Sequence, residues 1–303
     1  NLAPQGAEIE RQRRTIAALP DIRARRSRPQ GPQRQALMAD AEIAWRYISE
    51  NTVKETGLCP ATVNFSLTDG WVHPTVTMWD VGSHINALVA ASQLGFLPRD
   101  AFDRWIAQLL FQIRGRRSQG RLLPQGWIRV DRQKWGNRNF DGSDAGRLLS
   151  SLHNLRQYVG MDDQLDALVG SWDLDQIVVQ GEVHSVTNER LHSVYRSHSA
   201  HYAARAFRLW GIEVASPYEV SGGLGDYDDQ VALLEAVSWI GPLGAEPLLL
   251  EYLEQGMSKE SSYLADVLFA AQVEDYRVTG RFVAFSEGPM DIEPWFTYQV
   301  LQL

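Results

Sequence analysis

A single cysteine, Cys59, occurs among 303 residues, which excludes an internal disulfide and any zinc site built on several thiolates. No run of eighteen apolar residues exists, so the chain holds no membrane-spanning helix. It begins at Asn1 rather than Met, and the expectation is that a signal peptide or anchor stood upstream. Basic charge is scarce: 29 Lys and Arg against 37 Asp and Glu give a formal charge of -8. That is the wrong sign for a nucleic-acid partner, whose phosphates need a basic field.

Several catalytic signatures are missing too. Neither Ser83 nor Ser286 sits in a Gly-x-Ser-x-Gly elbow. The stretch Gly222-Gly-Leu-Gly-Asp226-Tyr-Asp-Asp229 lacks the Lys-Ser/Thr ending of a phosphate loop and reads as a mobile surface loop. Asp141-Gly-Ser-Asp144 lacks the evenly spaced ligands of a calcium loop. The histidines contain no His-Glu-x-x-His, although His198 and His201 could share a helix face. No metal or cofactor is expected.

What the chain does have is aromatic residues: ten Trp, ten Tyr and ten Phe. These suffice for a large core with rings left over for a cleft, and surplus rings suit a flat-faced ligand such as a sugar. Carboxylates alternate with those rings in three places. They are Thr75-Val-Thr-Met-Trp79-Asp80-Val-Gly-Ser83, Asn139-Phe-Asp141-Gly-Ser-Asp144, and the segment from Glu287 through Asp291 and Glu293 to Trp295 and Tyr298. Each precedes an apolar helical pattern, which suggests acid-bearing loops on one rim. Paired acids among flat rings are what glycoside hydrolysis requires.

Residues 1–35 form an Arg-rich extension or linker broken by Pro20, Pro29 and Pro32. A solvated strap is the plain reading, and a basic arm on an anionic membrane surface the sharper one. Residues 36–303 read as one domain. Leu37, Ala41, Ala44, Trp45 and Ile48 lie on one helical face, as do Phe102, Trp105, Ile106, Leu109, Leu110 and Ile113 after Asp100. Further helices are predicted over 82–94, 144–158, 196–210, 246–253 and 261–276, and one from Pro294. Segments 118–142 and 212–230 read as irregular. A few β-like pieces appear, such as Trp127–Val130 and Gln176–Gln180, too few for a central sheet. Helical hairpins joined by long loops favour a toroid of paired helices over a four-helix bundle.

The chain resembles the bacterial family of the domain of unknown function 3131. The motifs that carry the likeness are Ala44-Trp-Arg-Tyr47, Thr77-Met-Trp-Asp80-Val-Gly-Ser83, Asp144-Ala-Gly-Arg-Leu-Leu149, Tyr202 to Gly211, Gly280 to Glu287, and Asp291-Ile-Glu-Pro-Trp-Phe-Thr-Tyr298. They run in order across about residues 36–303. The resemblance implies an all-α, glucoamylase-like (α/α)6 toroid similar to β-1,2-glucanases, in exported or membrane-anchored proteins near exopolysaccharide systems. One departure is visible: Val194-Tyr-Arg196-Ser-His198-Ser-Ala-His201 carries no acid where the family pattern often has glutamates.

The expected site joins Glu287 as general acid to Asp80 or Asp141 as base, in a groove with Trp79, Trp127, Trp135, Arg196, Asp144, Asp291 and Trp295. Asp80 and Asp144 also read as N-caps of their helices, leaving Asp141 as the freer acid. Asp291 and Glu293 read as helix-terminus charges. Inverting hydrolysis of a bacterial glucan or exopolysaccharide is the leading expectation, with carboxyls about 6.5–9.5 Å apart. A non-catalytic glycan-binding or scaffold protein of a polysaccharide export system is the alternative, and a polysaccharide lyase is a third. The expected partners are an oligo- or polysaccharide and membrane-associated polysaccharide machinery reached through the extension, in a periplasmic or exported setting.

Overall fold

The computed structural model describes residues 34–64, 71–118, 120–160, 162–220, 223–241 and 243–280. The Arg-rich extension up to residue 33 lies outside them, as does the segment 281–303 with Glu287, Asp291, Glu293, Trp295 and the helix expected from Pro294. The described residues fall into two compact units, Pro32–Pro217 and the stretch from Tyr218 onward.

The first unit contains helices α1 (Arg34–Asn51), α2 (Met78–Leu94), α3 (Arg99–Gln112), α4 (Gly142–Val159), α5 (Asp162–Gly170) and α6 (Ser199–Arg208). Short antiparallel strands fill the connections. β1 (Val63–Asn64) pairs with β2 (Trp71–Val72), β3 (Thr75–Thr77) with β6 (Trp127–Arg129), and β4 (Arg116–Ser118) with β5 (Arg121–Leu123). β7 (Val178–Val179), β8 (Glu182–Thr187) and β9 (Arg190–Ser193) make a three-stranded sheet. The chain is thus predominantly α-helical with a few short β pieces, as its sequence leads one to expect.

Helices α2, α4 and α6 form the centre of this unit. Val81, Ile85 and Leu88 of α2, and Ala145, Leu148, Leu149, Leu152 and Leu155 of α4, are buried at helical spacing. Burial of each such leucine contributes about 1.5–3 kcal/mol. Glycines let the helices close up. A Cβ on Gly82 would stand 3.1 Å from the Arg147 carbonyl oxygen of α4, and one on Gly146 would stand 2.7 Å from Ala203 Cα of α6.

The pairings along these seams fix the helix directions. Gly82 meets Arg147 and Ser151, Asn86 meets Asn154, and the Tyr158 hydroxyl donates to Ser92 Oγ at 2.9 Å, so α2 and α4 run parallel. Gly146 meets Ala203, and the Trp210 indole N–H donates to the Leu149 carbonyl at 3.0 Å, so α4 and α6 run parallel too. Parallel neighbours need a returning element, and α3 and α5 supply it. With α1 ahead of α2, the six helices make three consecutive pairs, half of what an (α/α)6 arrangement contains, and the N-termini of α2, α4 and α6 lie at one end.

Two helices differ from expectation, and the strand pairs β1–β2, β4–β5 and β8–β9 lie outside the β-like pieces that the sequence pattern marks. α5 is a short amphipathic helix built on Leu165, Leu168 and Val169, too brief for its period to stand out beside three aspartates. In the second unit, α7 (Tyr227–Ile240) starts inside the segment expected to be irregular. Asp226 accepts the Asp229 N–H at 3.0 Å and caps it, so the acidic cluster taken for a mobile loop is the favourable first turn of a helix. α8 (Ala245–Glu254) and α9 (Lys259–Thr279) follow. Their core includes Tyr218, Leu233, Leu248 and Leu264. Buried Glu251 accepts the Ser258 N–H at 2.7 Å and the Ser261 hydroxyl, tying α8 to the start of α9. No single helix among the described residues is long and apolar enough to cross a membrane.

Candidate active site

Helix α2 begins at Thr77, whose extended backbone (φ -87°, ψ 174°) makes it the N-cap. Its hydroxyl oxygen accepts the N–H groups of Trp79 at 3.2 Å and Asp80 at 3.5 Å, and Asp80 Oδ2 accepts the Thr77 N–H at 2.8 Å. This reciprocal arrangement is a capping box. Asp80 is therefore the third helical residue and reaches back, rather than being the cap that bonds forward near Ser83. Thr77→Ala removes the acceptor of two helix amides and is expected to lower unfolding stability by about 1 kcal/mol, measured by urea titration.

Helix α4 begins in the same way, with the roles of its two acids opposite to expectation. Asp141, not Asp144, is the N-cap: its Oδ1 accepts the N–H of Ser143 at 2.9 Å and of Asp144 at 3.0 Å. Gly142 donates its N–H to Ser185 Oγ at 2.9 Å, and Phe140 bridges Val186, which moors the cap to β8. Asp144 stands at the third helical position and closes no box. Burial of its side chain raises its pKa from 3.8 to about 7, with the negative charges of Asp141 and then Asp80 pushing the same way; the Thr77 hydroxyl and Arg147 pull it back. One carboxyl of the three is thus held ready to keep a proton near neutrality.

Rings surround these acids. The Arg147 guanidinium lies 4.8 Å from the centre of the Trp79 ring, and Trp79 stands 6.3 Å from Tyr202 of α6. The strand pair β3–β6 sets Thr77 opposite Trp127. That register carries Trp127 to the start of α2, and its ring meets Trp135 at 5.7 Å with a 45° tilt. Trp135 is 44% exposed. On the other side Asp80 lines a cavity of about 490 Å³ between α1 and α2, with Tyr47, Cys59, Ser83 and His84 near it and alanines along its length. Burial lowers the His84 pKa to about 4 and raises that of the Cys59 thiol to about 11, so both are neutral at pH 7.

Of the expected residues, the structure gathers Asp80, Asp141, Asp144, Trp79 and Trp127 around the joined starts of α2 and α4, with Trp135 beside Trp127. Arg196 is exposed in the turn before α6. Glu287, Asp291 and Trp295 lie outside the described residues. His198 and His201 do not share a ligand face: His198 is the N-cap of α6, and His201 is buried with Nδ1 at 2.6 Å from Ser216 Oγ. Sequence reasoning missed Thr77, Arg147 and Tyr202 as parts of the site. A signal for Arg147 was present in its spacing, three residues after Asp144 on the same helical face.

No curated protein matches this sequence. Among solved structures the chain is similar to a β-1,2-glucanase from Parabacteroides distasonis, with 15% identity and a TM-score of 0.44 over 62% of this chain and 29% of the glucanase. It is also similar to an α-1,2-mannosidase from Trichoderma reesei, with 13% identity and a TM-score of 0.42 over 82% of this chain and 57% of the mannosidase. The chain spans less than two thirds of either protein. The family model for the protein of unknown function DUF3131 matches residues 39–303, nearly the whole chain, and the chain belongs to that family.

Proposed function

We propose that this domain hydrolyses glycosidic bonds of a bacterial glucan or exopolysaccharide, on an (α/α)6 toroid, in a periplasmic or exported setting beside polysaccharide machinery. The observation that carries the reading is Asp144: a part-buried carboxyl within electrostatic reach of Asp141 and Asp80 that is not consumed in capping its helix. A general acid must hold its proton at the working pH while a second carboxylate acts on water or sugar. Asp144 meets the first requirement with a pKa of about 7. It replaces Glu287 as the acid in this reading.

The base is drawn from Asp80, whose Oδ2 is tied to the Thr77 N–H, or Glu287. Asp141 is bound into its cap by two amides and serves to place Asp144. Trp127 and Trp135 supply apolar faces for pyranose rings, and Arg147 holds Trp79 in place. Since turnover needs Asp144 protonated, the rate is expected to fall as pH rises through about 7. Assays of reducing-sugar release from bacterial polysaccharides, β-1,2-glucan included, test the reading with wild type, Asp80→Asn and Glu287→Gln. Release abolished by one of the two, with an unchanged melting temperature, identifies the base. No release from any glycan sinks the hydrolase reading.

A glycan-binding protein without turnover is the second reading. It is favoured by the engagement of both Asp80 and Asp141 in helix caps and by the absence of acids in residues 194–201. Binding of a glycan that is never cleaved would select it.

A further inference from the structure

The chain carries a formal charge of -8, yet residues 114–138 contain eight basic side chains against one acid, Asp131. The structure concentrates several of them around the exposed ring of Trp135. Arg129 and Arg132 both place their guanidinium carbons 5.7 Å from the centre of that ring. Arg116 reaches across to donate to the Gly136 carbonyl at 2.9 Å. Lys134 lies 3.8 Å from the Phe111 ring, which Arg114 also faces at 5.0 Å. Trp127, in contact with Trp135, continues this surface to the start of α2.

These cations differ in what they already hold. Arg129 is neutralised by Asp131, with Nε to Oδ1 at 2.6 Å and Nη2 to Oδ2 at 2.5 Å. Among the described residues, Arg114, Arg116, Arg132 and Lys134 have no carboxylate within ion-pair distance. A guanidinium stacked on an indole keeps its in-plane N–H donors, whose fork matches a carboxylate. Arg132 has that geometry beside a ring suited to a pyranose face. A row of sugars resting on Trp127 and Trp135 would therefore bring any carboxylate at its edge against Arg132, with Arg116 and Lys134 adding attraction at longer range.

We propose that Trp127, Trp135, Arg116, Arg132 and Lys134 form a subsite for an anionic polysaccharide whose sugars carry carboxylates, a uronate-containing glycan. This names the substrate class for the site around Asp144 and rests on the glycan reading given above. The juxtaposition gives a reason for an acidic protein to keep a basic surface next to its aromatic rings. Nucleic acid also binds cations beside rings, so single-stranded DNA is the competing polyanion that the test must separate from a uronate glycan.

Affinity electrophoresis of the full chain tests the subsite, in gels containing polygalacturonate, neutral β-1,2-glucan or no glycan, with single-stranded DNA oligonucleotide as a competitor. Polygalacturonate is expected to retard the wild type more than the neutral glucan, and less as salt rises. Arg132→Glu combined with Lys134→Glu is expected to weaken that retardation about tenfold. Arg104→Glu combined with Arg277→Glu, which reverses two exposed charges elsewhere, controls for bulk charge and is expected to change little; the melting temperature of each variant checks the fold. Equal retardation by both glycans, or none lost in the double variant, overturns the proposal, as does DNA competing better than galacturonate oligomers. Hydrolysis of a neutral glycan without polyuronate binding removes this subsite and keeps the hydrolase; polyuronate binding with no glycan cleaved keeps the subsite and removes the hydrolase.

Discussion

Asp144→Asn is expected to lower glycan cleavage by about 10²-fold or more while making the protein more resistant to heat at pH 8. The two effects come from one cause. The folded chain raises this carboxyl from 3.8 to about 7, so it binds the proton more tightly folded than unfolded. That contribution to stability is fully present below about pH 4, fades as pH rises toward 7, and is lost above it. At pH 8 the wild type must bury an ionised group beside Asp141 and Asp80. Asn is neutral at every pH and nearly the same shape, so it escapes that cost, about 2 kcal/mol once the solvent contact of the site is allowed for. A gain of a few degrees in melting temperature at pH 8, vanishing at pH 4, is the signature. A residue placed there for stability would show the reverse order. Loss of activity with lower stability at pH 8 would remove Asp144 from the acid's role.

Gly146→Val should be the most damaging single change at the helix seams. Even one Cβ at this position would stand 2.7 Å from both Cα and Cβ of Ala203, and the former is backbone that cannot rotate away. Helices α4 and α6 would have to separate. Forcing extra carbons into a packed interior costs about 1–3 kcal/mol, more where backbone must move, and the buried leucines on either side would lose contact as well. Melting temperature is expected to fall by about 5 °C or more, with catalytic loss beyond what the unfolded fraction explains, because Asp144 rides two residues before the crossing. Circular dichroism melts and turnover at a temperature where the variant remains folded check this. A variant that melts within a degree of wild type would mean that the seam yields easily.

Much of the fold was legible because burial here follows helical period. The stripe Phe102, Ile106, Leu109 and Leu110 is buried in α3 as read, and the strand at Trp127 is present. Period fails where helices are short or start in acid: α5 has little more than two turns, and α7 opens on Tyr227-Asp-Asp229. At the site, the structure brings Asp80, Asp141 and Asp144 together and exchanges the capping duty expected of Asp144 with Asp141. Asp141 and Asp144 differ by three positions, and which one caps depends on where the backbone leaves extended conformation, a matter settled by the β8 mooring at Gly142 and Phe140. Local sequence contains no trace of a partner more than forty residues away. The contact between Trp127 and Thr77 was hidden for the same reason, since it needs a strand pair between residues fifty positions apart.

The parallel course of α2, α4 and α6 has a kinetic consequence. Asp80, Asp144 and Tyr202 each arrive on a separate hairpin, about sixty residues apart in the chain, so no local folding event can assemble the site. It forms only after the third hairpin has docked on the second and the second on the first. Conversely, a brief detachment of α6 would disperse the site while leaving most helical hydrogen bonds intact. Catalytic silence on warming should then precede the loss of helical signal, making turnover the more sensitive gauge of whether the hairpins are seated.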